Sequence, residues 1–301
     1  MPQKLFLTGA TGLVGRRLVP RLTGAGAHVV ALCRDAARAP QAEGPGQLEV
    51  VVGSLEEPGA WRDALRGCEQ VVHLAARTGK ARPKAYELSN VEGTRALLDA
   101  AREHGVPRFL HVSTIAAKFA DIRRYPYAQS KLRAEELVRA SGFDHAIARP
   151  TIVLGHDAAA WEATCKLAHA PLLPLFGNAE VQPIDVDDLA DELAELAARP
   201  SLGGELVELG GPETLGFSEL LRRVRVHSGR RAGPTLPLPG RLIISVLWGL
   251  EPLLLPVMPL TAGQLHAFVH DSTAASSELH ERFAPRLRDV DAMLDRYRAQ
   301  S

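Results

Sequence analysis

Of the four tyrosines in this 301-residue chain, only Tyr127 is followed four positions later by a lysine, Lys131. On a helix that spacing sets phenol and ammonium on one face. A free phenol ionises near pH 10, and a neighbouring cation favours the phenolate, bringing it into range for proton transfer. Shortly upstream, Val112-Ser113-Thr114 ends an apolar run with two hydroxyls. Together these groups suit acid–base chemistry at an alcohol or carbonyl oxygen. A solvated helical ion pair is the plainer alternative.

A second constellation lies near the start. Gly9, Gly12 and Gly15, within Gly9-Ala10-Thr11-Gly12-Leu13-Val14-Gly15, follow the apolar run Leu5-Phe6-Leu7-Thr8. Glycines so placed allow a tight turn, close approach of backbone to a pyrophosphate, and close helix–strand packing; the helix N-terminus offers N–H groups to phosphate. About twenty residues on, a dinucleotide site reads the adenosine ribose. Arg34 stands there, and a guanidinium suits a 2′-phosphate, hence NADP, with Arg16 as a second positive charge; if Asp35 takes the ribose instead, NAD follows.

These groups need elements to hold them. Short Val/Leu/Ile-rich runs at 4–8, 28–33, 48–53, 70–75, 108–113 and 145–150 read as strands, several apolar on both faces. Helical patterns at 14–24, 57–66, 91–104 and 126–140 lie between them. Repeated βα units of this kind predict an α/β fold, a doubly wound parallel (Rossmann) sheet. After residue 150 the rhythm loosens and proline becomes frequent. That region reads as a smaller, irregular C-terminal substrate lobe. The division expected is a dinucleotide-binding domain over 1–155 and a substrate-binding lobe over 156–301, with about 181–229 returning in part to the main sheet.

Composition narrows the classes. Thirty-five basic and 35 acidic side chains give zero formal net charge, against the net basic field of a nucleic-acid binder. Three scattered cysteines and the absence of an apolar leader segment fit a cytoplasmic protein with reduced thiols.

Thr8–Gly15, Asn90-Val91-Glu92-Gly93-Thr94, His111-Val112-Ser113-Thr114, Tyr127-x-x-x-Lys131 and Arg149-Pro150 together resemble the extended or atypical short-chain dehydrogenase/reductase superfamily, over roughly residues 4–220. It includes nucleotide-sugar epimerases and dehydratases, hydroxysteroid dehydrogenases and dihydroflavonol reductases. The resemblance implies Tyr127 as general acid/base and Lys131 as the residue that holds the nicotinamide ribose and tunes the tyrosine. Thr114 would orient the substrate oxygen, with Ser113 as runner-up. It implies a cofactor site of Gly9, Thr11, Gly12, Leu13, Val14, Gly15, Arg34, Ser54, Leu55, Leu74, Ala75, Ala76, Tyr127, Lys131 and Pro150. Two departures stand out: only thirteen positions separate Thr114 from Tyr127, and Ser54 stands where the family often has an aspartate toward adenine. Asn90 holds a water or backbone group near the lysine, or simply packs its helix, and His73 reads as structural.

Farther on, Asp187 or Asp188 is expected to cap a helix. Residues 242–260 are mostly apolar, but Glu251 and three prolines interrupt them. The readings, in order, are a pocket wall or lid, an interfacial or subunit contact, and membrane insertion. The flanking 259–271 resembles bacterial relatives of the accessory NAD(P)-binding subunit of respiratory complex I. The arginine run 222–231 reads as a solvated face, with a phosphate clamp as the sharper alternative. His266 and His270 lack a third ligand, so no metal is expected. The expected partner is a small-molecule substrate; the resemblance implies a second copy of the chain, membrane-surface contact ranks last, and no nucleic acid is expected. The leading activity is NADP-dependent interconversion of a secondary alcohol and a ketone on a rather apolar molecule. The alternatives are a nucleotide-sugar epimerase or dehydratase and a non-catalytic NADPH-binding structural subunit.

Overall fold

The computed structural model describes residues 3–177, 179–255, 261–266 and 268–299. Seven strands form the central sheet: β1 (Lys4–Thr8), β2 (His28–Cys33), β3 (Gln47–Val52), β4 (Gln70–His73), β5 (Arg108–Val112), β6 (Asp144–Pro150) and β7 (Glu205–Leu209). Their order is β7-β6-β5-β4-β1-β2-β3. The pairs from β3 through β6 are all parallel, with Leu5 opposite Val29 on one side and Gln70 on the other. The order reverses between β1 and β4. Their carboxyl ends therefore open the crevice in which a doubly wound sheet takes its ligand.

By contact the chain divides into two compact units, Met1–Thr114, Gln129–Arg149 and Leu189–Val207 forming the first, and Ile115–Ala128, Pro150–Asp188 and Glu208–Ser301 the second. In the first, β1, β2 and β4 are buried nearly throughout, as sheets covered on both faces require. One core gathers Phe6, Val30, Trp61, Leu97, Phe109 and Ile147. Leu97 comes from helix α2 (Gly93–Glu103), while α1 (Gly15–Gly24) buries Leu18, Val19 and Leu22. The helical pattern expected at 57–66 resolves instead into two 3₁₀ turns, Pro58–Ala60 and Arg62–Leu65. Pro58 and Gly59 weaken a regular helix there, and the Trp61 indole N–H donates to the Ser54 carbonyl at 2.8 Å, folding the segment back. The expected start of α2 at residue 91 falls within a π-turn, Glu87–Glu92.

The second unit has its own core, in which Leu173, Val181, Phe217, Leu220, Val224, Val290 and Leu294 meet. Its strand pairs are short, such as Ile184 opposite Val153 and Leu215 opposite Val181. The helix beginning at Val186 is capped by Asp185, whose carboxylate accepts the Asp187 N–H at 2.8 Å. This corrects the expectation for Asp187 and Asp188. They lie in the first turn, favourable for the dipole, and pair with Arg296 and Arg288 respectively. Asp185 is fully buried and also accepts from the Tyr297 hydroxyl at 2.8 Å.

Candidate functional site

The loop after β1 is shaped by what its glycines exclude. Gly9 has φ +81°, and a Cβ there would lie 2.7 Å from the Ala75 nitrogen. A Cβ on Gly15 would lie 2.2 Å from the Gly9 carbonyl oxygen and 2.7 Å from Ala10 Cα. Both are backbone collisions, so only glycine lets β1 turn into α1 beside the β4 loop. No described side chain caps α1, whose start is Gly15 after Val14. The Arg16 and Arg17 N–H groups donate to the Gly12 and Val14 carbonyls at 3.0 Å each, so the turn is closed by its own backbone.

This loop forms one wall of a cleft of about 370 Å³ in the first unit, a volume typical of small-molecule and cofactor sites. Of the residues expected from sequence, Gly9, Thr11, Gly12, Arg34, Ser54, Leu55, Leu74, Ala75 and Ala76 line it. Leu13, Val14, Gly15, Tyr127, Lys131 and Pro150 are not among its lining residues. Gly15 is buried in the turn itself, where its contribution is packing. Pro150 ends β6. Thr8, Leu32, Gly53, Glu56, Arg77, Thr78 and Ser89 line the cleft and were not singled out. Thr8 and Leu32 could have been found as β1 and β2 residues nearest the crevice. Glu56 and Ser89 carry no local signal: they meet across 33 residues in a 2.8 Å hydrogen bond.

The cleft fits a dinucleotide: a glycine cradle, a helix N-terminus and a cation at the second strand's end. Arg34 is exposed and lines it, whereas the Asp35 carboxylate turns away to accept the Ala37 N–H at 3.0 Å, capping a short 3₁₀ turn.

Behind the cleft runs a buried polar chain. His73 lies between the hydroxyls of Thr8 (Nδ1 to Oγ1, 2.7 Å) and Thr94 (Nε2 to Oγ1, 2.9 Å). Burial, aided by the Lys131 charge, pushes its pKa down to about 3, so it is a neutral structural group. Asn90 is buried in the π-turn. It accepts from the Arg77 N–H at 2.6 Å and donates to the Arg77 carbonyl and to Ser130 Oγ at 3.2 and 2.9 Å. The backbone-holding expectation for Asn90 thus describes its contacts.

Helix α3 (Pro126–Arg139) carries Tyr127 in its first turn and Lys131 one turn later. The Lys131 amine is buried, donates to the Val112 carbonyl at 2.8 Å and lies 3.2 Å from His111 Nε2. Burial lowers its pKa to about 7, opposed by the Glu135 carboxylate. It therefore abuts the end of β5, immediately before Ser113 and Thr114. Ser113 is committed elsewhere, donating to Glu135 Oε1 at 2.6 Å. Glu135, buried and one turn past Lys131, also receives Arg149 through two hydrogen bonds of 2.8 and 2.7 Å, and Arg139 at 2.7 Å. In the second unit Tyr125 stacks near Tyr127 and on His266, their ring centroids 5.8 Å apart in each case. No group of three His, Cys, Asp or Glu side chains able to hold a metal occurs among the described residues.

Such a cleft at the switch point of a parallel sheet defines a dinucleotide-binding Rossmann protein. Residues 9–200 match the NAD(P)H-binding family, and the chain belongs to that family, within the extended or atypical short-chain dehydrogenase/reductase superfamily of NAD(P)-binding oxidoreductases. It is 32% identical over 246 residues to ceramide reductase of Caulobacter vibrioides, covering 80% of this chain and 76% of that protein. It is 27% identical over 291 residues to the mitochondrial NADH dehydrogenase [ubiquinone] 1 alpha subcomplex subunit 9 of Rattus norvegicus, covering 94% and 74%. The likeness to that subunit thus runs along nearly the whole chain rather than its C-terminal part. In fold it resembles MoeE5 in complex with UDP-glucuronic acid and NAD, with a TM-score of 0.73, 20% identity, and coverage of 99% and 100%.

Proposed function

We propose that the protein is an NADP-dependent reductase interconverting a ketone and a secondary alcohol on a largely apolar molecule. The observation that carries this reading is the placement of Lys131. Its amine is buried against the last carbonyl of β5, one helical turn from Tyr127 and two residues from Thr114 in sequence. NADPH, when bound, supplies the hydride. Tyr127 donates the proton to the carbonyl oxygen as the alcohol forms and takes it back in the reverse direction. Thr114 holds that oxygen, and Lys131 steadies the ribose and favours the phenolate through its charge. The choice of NADP rests on Arg34 facing the cleft while Asp35 is turned to Ala37. Similarity to ceramide reductase supports a substrate with long apolar chains.

Arg222, Arg223 and Arg225 of the 222–231 run are engaged within the protein, which supports the ketone reading over the nucleotide-sugar one. Arg222 is paired with Glu219, Arg223 with Glu213 and Glu219, and Arg225 donates to the carbonyls of Ala168 and Ala170.

The test is titration of the purified protein with NADPH and NADH by nucleotide fluorescence, followed by a panel of long-chain ketones. NADPH is expected to bind more tightly than NADH, with the preference lost in Arg34→Ala. Turnover should fall by about 10²–10⁴-fold in Tyr127→Phe. Tightly retained NAD(H) that resists exchange would overturn the reading in favour of an epimerase or dehydratase. Tight NADPH with no turnover would favour a structural subunit.

A further inference from the structure

Helix α4 (Gly240–Leu254), in the second unit, has two apolar sides. One is accounted for: Ile244 is buried, and Ile243, Leu247 and Trp248 pack with it on Ala262, Leu265, Phe268 and Val269. The other is bare. Leu242, Val246, Leu250 and Leu253 are 62, 53, 41 and 82% exposed. At about 100° per residue these four, with Gly249, fall within one arc of about 100°. No charged or polar side chain interrupts that arc. Its single carboxylate, Glu251, lies on the opposite side, where it accepts from the Ala262 N–H and burial raises its pKa.

An outward helix face of four large apolar residues is unusual for a surface helix, whose outer side is normally charged. The charges at its border are cationic. Arg241 is exposed at the helix start, and Arg124 donates to Ser245 on the flank between the two apolar sides. Arg123 lies next along the chain, paired with Asp121. Leu236, exposed just before the helix, pairs in register with Pro174 beside the exposed Leu172, and the adjoining Arg230 donates to the His169 carbonyl. No helix among the described residues is long and apolar enough to cross a membrane, and residues 256–260, the end of the apolar stretch, lie outside the described residues.

We propose that the outer face of α4 is an interfacial docking surface for an anionic lipid bilayer: Leu242, Val246, Leu250 and Leu253 enter the headgroup–acyl boundary while Arg124 and Arg241 meet lipid phosphate. An apolar stripe with cationic flanks is the chemistry such a surface selects, since buried apolar area and attraction to anionic headgroups add. The proposal does not depend on the reaction assigned above, and it gives the helix a role other than pocket wall or spanning segment.

The test is flotation of the full chain with vesicles of phosphatidylcholine alone, or mixed equally with phosphatidylglycerol. The wild-type protein is expected to float with the mixed vesicles and far less with the neutral ones, the difference shrinking as salt rises. Leu242→Glu and Leu253→Glu each replace an exposed leucine, so the fold should stand, and unchanged NADPH affinity verifies this. Each should lower partitioning about tenfold or more. Arg241→Gln should weaken binding to the mixed vesicles only. Wild-type protein that never floats, or glutamate variants that float equally well, would overturn the proposal. So would light scattering that shows a dimer split by Leu253→Glu, which would make a second copy the occupant.

Discussion

Replacing Glu135 by glutamine isolates one buried charge without changing its shape. Glu135 is fully buried and Arg149 is 7% exposed. The carboxylate receives Arg149 through both oxygens, and Arg139 and Ser113 besides. Removing one member of a buried pair leaves the other charge uncompensated, at about 3–5 kcal/mol. Glutamine keeps one acceptor oxygen but presents an NH₂ group to guanidinium donors, so the lower end, about 3 kcal/mol, is expected. Burial alone would push the Glu135 carboxyl up. The hydrogen bonds from Arg149 and Ser113, with the Arg149 charge, outweigh it and hold the pKa below 4.5. A depressed folded pKa means that the unfolded chain binds more protons in the window between that value and 4.5. The stabilisation is therefore complete above the window and disappears as pH falls through the folded pKa. Urea denaturation at pH 7 and in steps to about pH 3 should show the wild type ahead at neutrality and the gap closing in acid. Glu135→Gln with Arg149→Met should recover part of the loss. A variant within about 1 kcal/mol of wild type at pH 7, or a gap unchanged in acid, would refute the reasoning.

Gly12 and Gly15 should separate binding from folding. Gly15→Ala forces a Cβ into the backbone of Gly9 and Ala10, and a destabilisation of about 1–3 kcal/mol is expected; Gly12→Ala meets only the Gly9 oxygen at 3.2 Å, so it should fold normally and bind NADPH more weakly. Thermal melts with and without nucleotide distinguish the two. Lys131 predicts a pH effect of the same sign as that of Glu135, displaced to the alkaline side. Its folded pKa is about 7 against an ordinary 10.5, so the unfolded chain binds more protons between them and wild-type stability climbs over that range, by up to about 1.4 kcal/mol per pH unit. Lys131→Met lacks this climb. Parallel denaturation curves for the two proteins between neutral and alkaline pH would count against a buried amine.

Much of the first unit was legible because its chemistry is local. Lys4–Thr8 and His28–Cys33 stand where their apolar runs end, and the glycine loop announces both its turn and its ligand class. What was missed depended on contacts distant in sequence. The 57–66 segment has helical spacing, but the Trp61 indole anchors to Ser54 and the Pro58-Gly59 pair interrupts it. Three aspartates, at 185, 187 and 188, compete for one cap, and only burial beside Tyr297 shows that Asp185 holds it. The short strands of the second unit, two or three residues each, are too brief to carry a period. In α4 two sides are apolar, so the sequence cannot say which of them is bare.

The polar chain behind the cleft has one consistent proton arrangement, and it explains why Thr8, His73, Asn90 and Thr94 occur together. The Thr94 hydroxyl donates its only proton to the Asn90 carbonyl at 2.6 Å, so it must accept from His73 Nε2–H. Neutral imidazole then has a bare Nδ1, which takes the proton of the Thr8 hydroxyl. The Thr8 oxygen is left to accept from the Ala75 N–H, at 3.3 Å. Protonating His73 would reverse the Thr8 bond, and the low pKa of His73 makes that rare. The Ala75 end of the cleft loop is thus held by this chain, and its Arg77 end by Asn90. Because Asn90 also grips Ser130, next to Lys131, one buried amide ties the cleft loop to the helix bearing Lys131. Cofactor loop and lysine are registered through the interior, not through the ligand.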